Sequence, residues 1–137
     1  MLTEKTNELT GVTSEKLSHE IVKVLLEKKG IDVKLYDVRE TTSITDFYVN
    51  VTGRSGTHVA SLADELTYLI GLRGKDAERV EGRRGNSWIL VDYLDVIVNV
   101  FDKESREFYN FERLLPAEGL VDITDLVKEV DKKFETN

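Results

Sequence analysis

Apolar residues along the chain follow two rhythms, and the rhythms set the elements. Leu17, Ile21, Val24 and Leu25 recur at helical spacing with Glu and Lys between them. That predicts a first helix with Ser14 as N-cap and an end near Gly30. From Val33 to Val38 the period changes to two, and Phe47, Val49 and Val51 alternate again with Tyr48, Asn50 and Thr52. Both stretches predict strands, separated by the polar break at Thr41, Thr42 and Ser43. Val59, Leu62, Ala63, Leu66 and Ile70 form one helical stripe, closed by Gly71 and Gly74. Ala77–Glu81 predicts a weak strand, and Gly82-Arg83-Arg84-Gly85-Asn86 a turn.

Trp88–Tyr93 and Val96–Phe101 are the strongest strand patterns in the chain. The Leu94-Asp95 link between them is short enough to require an antiparallel pair. Both faces of this pair are apolar, as in central strands covered on both sides or in a sheet whose second face is covered by another protein. Asp102 is placed to cap a helical stretch over Lys103–Leu115. Pro116 and Gly119 mark a joint, and Asp122 precedes a last helical stripe of Ile123, Leu126, Val127, Val130 and Phe134. The predicted order is α-β-β-α-β-β-β-α-α, an α/β (α+β mixed) domain on one mixed five-stranded sheet flanked by helices. Residues 1–12 are polar and aperiodic and read as a flexible lead-in, 13–115 as the domain, and 116–137 as a C-terminal helical extension. The stripe of that extension must pack on this sheet or on a second copy of the chain, making a homodimer.

Length and charge narrow the function. At 137 residues one core is expected. The net charge of −7 argues against a general nucleic-acid binder and suits a basic partner. Cysteine is absent, which removes disulfides, thiolate metal sites and cysteine nucleophiles. No apolar run approaches the roughly 20 residues that span a bilayer, and the first residues lack the apolar core of a signal peptide. A cytoplasmic protein without membrane contact is expected.

Candidate chemistry is sparse. His19 and His58 lie in separate predicted helices without a second ligand at i+3 or i+4 and read as solvent-facing. Gly53-Arg54-Ser55-Gly56 joins a strand to a helix but is not a P-loop, a dinucleotide fingerprint or a nucleophile elbow; Ser55 reads as an N-cap. Asp92 and Asp95 flank the hairpin turn, and Asp46 precedes the second strand. These three acids suit a divalent cation in a nucleotidyltransferase, a basic partner, or plain turn roles. Arg83 and Arg84 are too few for RNA affinity. Trp88, the one tryptophan, reads as core or as an interface anchor.

The blocks DVRETTSITDFYVNVTGRS (Asp37–Ser55), RVEG (Arg79–Gly82), SWILVDYLDVIVNVF (Ser87–Phe101) and REFYNFERLL (Arg106–Leu115) occur in an order and spacing that resembles the ribosomal silencing factor family, also called Iojap proteins. The resemblance spans about Leu17 to Leu115. It implies a nucleotidyltransferase-like topology without a transferase active site, no cofactor and no metal. It implies binding to protein fourteen of the large ribosomal subunit, which blocks subunit joining and lowers translation under nutrient limitation, with a role in large-subunit assembly in organellar relatives. By this resemblance, partner binding falls to Trp88, Asp92, Tyr93 and Asp95, and further to Asp46, Tyr48, Arg106, Glu107 and Tyr109. Trp88 and Tyr93 would supply aromatic area, and Asp92 and Asp95 would pair with Lys or Arg. Two positions depart from the family pattern: Asn99 stands where a histidine is frequent, and Leu94 where glycine is frequent. The rival readings are a metal-dependent nucleotidyltransferase using Asp46, Asp92 and Asp95, and a bare dimerisation module.

Overall fold

The structure, a computed structural model, describes residues 4–135. The elements run α1 (Ser14–Glu27), β1 (Ile31–Asp37), β2 (Phe47–Gly53), α2 (Gly56–Leu72), β3 (Arg79–Glu81), β4 (Trp88–Asp92), β5 (Val96–Asp102), α3 (Lys103–Tyr109), 3-10 turns at Phe111–Leu114 and Ala117–Gly119, β6 (Leu120–Val121) and α4 (Thr124–Glu135). The sheet is mixed and has six strands, in the order β3-β4-β5-β2-β1-β6. The strand missing from the expected five is β6. It has two residues, too few to show a period, and it pairs antiparallel with β1 through Leu35 opposite Val121 and Tyr36 opposite Leu120. At the centre, β2 and β5 run parallel in unbroken register from Phe47–Val96 to Gly53–Asp102. The β4–β5 pair is antiparallel, with Trp88 opposite Phe101 and Asp92 opposite Ile97.

Alternation along these strands separates two faces. Val33, Leu35, Phe47, Val49, Val51, Ile89, Val91, Val96, Val98 and Val100 join the stripes of α1 and α2 in one core. Tyr48, Asn50, Thr52, Trp88, Leu90, Ile97, Asn99 and Phe101 face the other way, where α3 and the first 3-10 turn lie. Glycine at 53 lets β2 end against α2, since a Cβ there would stand 2.8 Å from Val59 Cγ2.

Caps follow local chemistry. Ser55 accepts from the His58 N–H and Asp102 from the Ser105 N–H. Thr13, one residue before Ser14, caps α1 by accepting from Lys16. The Asp122 carboxylate takes the Thr124 N–H at the start of α4. The helix expected over Lys103–Leu115 breaks at Asn110, whose φ of 45° ends α3 and starts the 3-10 turn.

The N-terminal end departs from expectation, and the C-terminal extension takes the first of its two expected positions, on its own chain. The lead-in is anchored over its described part: Leu9 is 1 % exposed in the core, and the Thr6 and Leu9 N–H groups donate to the carbonyls of Leu72 and Arg73. Residues 1–3 lie outside the described residues. The extension packs on its own chain through β6 and through α4 on α1, with Val130 buried and Ile123 and Leu126 against the core. Glu20, buried on α1, ties these ends together. It pairs with Arg73 (2.7 Å) and Lys23 (2.8 Å), which in turn reach Glu8 and Glu129. Burial pushes the Glu20 carboxyl up, but bonds from Lys23 and Arg73 outweigh it and hold the pKa at about 2. Among the described residues no helix is long and apolar enough to cross a membrane.

Candidate functional site

The second face is organised by a chain of side-chain hydrogen bonds. Trp88 Nε1 donates to Asn99 Oδ1 (3.0 Å), Asn99 Nδ2 to Asn50 Oδ1 (3.0 Å), and Asn50 Nδ2 to Glu112 Oε2 (3.3 Å). Arg106 closes the chain with a two-point contact to Glu112 (2.8 and 3.2 Å) and one nitrogen on both Thr52 Oγ1 and the Asp32 carbonyl (2.9 Å each). Asn50 and Asn99 are opposite each other in the parallel register, so β2 and β5 bring them together without adjustment. Burial pushes the Glu112 carboxyl up, and the Arg106 and Asn50 contacts more than compensate, leaving it below the usual carboxylate range.

Aromatic rings surround this chain. Trp88 lies 5.0 Å from Phe101, 5.0 Å from Tyr109 and 6.1 Å from Phe111, and Tyr48 meets Phe111 edge to face at 5.2 Å. Tyr109 and the neighbouring Phe108 are exposed, and Trp88 and Tyr48 are half-buried.

The nine residues assigned to partner binding from sequence therefore have different positions. Asp95, Glu107 and Tyr109 are exposed, and Trp88, Tyr48 and Asp46 are partly exposed. Three are committed to the fold. Tyr93 is 0 % exposed and points into the α1–α2 core, because β4 ends at Asp92 and the alternation carries the next side chain to the first face. Its hydroxyl has no hydrogen-bond partner among the described residues, and burial holds the phenol well above its usual pKa. It cannot supply contact area. Asp92 is buried and occupied by the Leu94 N–H (2.7 Å) and Arg79 Nε (3.1 Å). Arg106 is the buried tie to Glu112 and Thr52.

The rival cation trio fares differently from its sequence pattern. Asp46 and Asp95 meet through backbone, the Asp46 N–H donating to the Asp95 carbonyl. Asp92 is engaged as described, and the described residues contain no group of three or more His, Cys, Asp or Glu able to hold a metal. His58, expected in solvent, is buried. Its Nδ1 accepts the Arg54 N–H and its Nε2 lies 3.1 Å from the Lys28 carbonyl, bracing the start of α2 against the end of α1. Arg83 is held by Asp64 and Asn86. Sequence reasoning missed Asn50, Glu112, Phe108 and Phe111. The only local signal was the pair of asparagines at mid-strand positions whose neighbours are apolar.

The model of a family described as "Ribosomal silencing factor during starvation" matches residues 12–137. The chain belongs to the ribosomal silencing factor family. It is 36 % identical over 86 residues to the ribosomal silencing factor of Haemophilus influenzae, covering 63 % of this chain and 84 % of that one. It is 31 % identical over 103 residues to that of Halalkalibacterium halodurans, covering 75 % and 88 %. A crystal structure of a Chromobacterium violaceum protein superposes with a TM-score of 0.74 at 29 % identity, over 76 % of this chain and 87 % of that chain. That solved structure thus shares this mixed α/β fold over about three quarters of the chain.

Proposed function

We propose that this chain is a non-enzymatic repressor of translation that acts by occupying a surface. It binds protein fourteen of the large ribosomal subunit in the cytoplasm, keeps the small subunit from joining, and so lowers translation under nutrient limitation; the same contact serves large-subunit assembly. The observation that carries this reading is the family match over residues 12–137. The second face supports it physically. A half-buried tryptophan in an aromatic cluster, with Asp95, Glu107 and Tyr109 open to solvent, has the composition of an anchor with a charged rim. A basic ribosomal protein matches the chain's net charge of −7.

Co-sedimentation with separated ribosomal subunits tests the reading, followed by a subunit-joining assay and by light scattering for a homodimer. The chain should travel with large subunits and slow joining. Asp95→Lys should weaken the association, because Asp95 is exposed and its reversal leaves the core untouched. Reversal at Asp92 would instead break its bonds to Leu94 and Arg79. Normal joining rates at saturating protein would exclude the repressor role.

A further inference from the structure

Helix α3 carries a surface that the fold does not use. Phe108 is 80 % exposed, and its ring meets Tyr109 edge to face, centroids 5.0 Å apart at 85°. Glu104, Ser105 and Glu107 line the same shallow recess as these two rings. Neither carboxylate has an ion pair or hydrogen bond among the described residues. Arg106, between them in sequence, is committed to Glu112 and Thr52 on the buried side.

Each feature is unfavourable in the isolated chain. A large apolar ring stands in water. Glu104 and Glu107 are like charges three residues apart on a helix, which repel. Glu107 also lies in the last turn, where the helix dipole disfavours an anion. One guest removes all three penalties: a cation over the Phe108 ring, between the two carboxylates. We infer that this recess takes an arginine side chain from a protein partner. Arginine fits better than lysine, because a planar guanidinium stacks on an aromatic face while its fork reaches carboxylates on either side. Two carboxylates at the rim repel phosphate, so the guest is protein and not RNA. The inference rests on the ribosomal reading above for the partner's identity and adds the residues and the chemistry of one contact.

The test is equilibrium binding of the full chain to large ribosomal subunits over a range of salt, for wild type, Phe108→Ala, Phe108→Leu and Glu104→Gln/Glu107→Gln. Both Phe108 variants should bind about tenfold more weakly, since leucine keeps apolar area and loses the π face. Their thermal unfolding should match wild type, as the ring is 80 % exposed. The double Gln variant should bind more weakly at low salt and lose part of its salt dependence. Wild-type affinity in Phe108→Leu would reduce the recess to an apolar contact and overturn the arginine assignment. Tighter binding by the double Gln variant would place phosphate there and overturn it in favour of RNA. If wild type fails to bind large subunits, the ribosomal reading falls and this contact with it. If wild type binds and all variants match it, only the recess is wrong.

Discussion

The two faces of the sheet are held by different forces. On the first, α1 and α2 lie on an apolar layer in which Ile21, Leu25, Val49, Val51, Leu66 and Val98 are all completely buried. On the second, seven residues of α3 and a four-residue 3-10 turn are positioned by directed hydrogen bonds from Trp88 through Asn99, Asn50 and Glu112 to Arg106. Apolar burial is strong but does not specify direction. A helix of two turns has too little stability of its own to choose a place. The polar chain supplies the direction, and it leaves Phe108 and Tyr109 facing outward.

Truncation on the first face should show the largest loss. Leu25→Ala removes a buried side chain between α1 and the sheet and should cost about 2–5 kcal/mol by urea unfolding. A smaller loss would mean that α1 settles into the gap, and that the first face is less rigidly packed than its burial indicates. On the second face, Arg106→Met should cost about 3 kcal/mol, because it strands a largely buried Glu112 carboxylate. The Arg106→Met/Glu112→Met double variant should lose less than the single one, since no unpaired charge is left behind. If both variants unfold alike, the pair acts only through its volume, and the contrast between the faces fails.

Acid sharpens the comparison. Among the described residues the first-face core holds no carboxylate, but Glu20 stands on the outer side of α1 and Glu112 on the second face, and both are held below their ordinary pKa. A carboxyl whose pKa is depressed by folding stabilises fully above its unfolded value and loses that contribution as the pH falls through the folded one. For Glu20 the window runs from 4.5 down to about 2. Stability should fall by roughly 2–3 kcal/mol across it from this group alone. Urea midpoints measured between pH 7 and pH 2.5 should show that limb, and Glu20→Gln should flatten it. An unchanged slope in Glu20→Gln would assign the acid sensitivity to other groups.

How much of this was readable from sequence differs between the faces for the same physical reason. Apolar periodicity reports burial against a large neighbour, so α1, α2, β2, β4 and β5 emerge within a residue or two of their observed ends. Features that depend on a partner distant in sequence leave no period. Leu9 is a lone apolar residue in a polar stretch, and only the Leu72 and Arg73 carbonyls show why it is buried. The two residues of β6 matter because β1 is there to receive them. Asn99 stood out only as a departure from the family pattern and Asn50 not at all, until the parallel register placed them opposite each other. Tyr93 was assigned to the partner surface, although it continues the phase of Ile89 and Val91, which points it into the first-face core.

The β4–β5 turn gives the smallest predicted effect and the one of opposite sign. Asp92 faces one layer and Tyr93 the other, and the chain must reverse at once so that the Tyr93 N–H reaches the Val96 carbonyl at 2.9 Å. The Asp95 N–H also donates to the Tyr93 carbonyl at 2.9 Å, a three-residue turn centred on Leu94 at φ 73°. This positive-φ γ-turn is rare and strained. A side chain there costs about 1–2 kcal/mol, against about 0.5–1 kcal/mol of chain entropy that glycine would add to the unfolded state. Leu94 is 56 % exposed, so little burial is lost on its removal. Leu94→Gly should therefore leave stability unchanged or raise it by up to about 1 kcal/mol, seen as a higher unfolding midpoint with an unchanged urea slope. A clear loss of stability would mean that the leucine side chain, and not the bond from Asp92 to its N–H, holds the hairpin that feeds both faces.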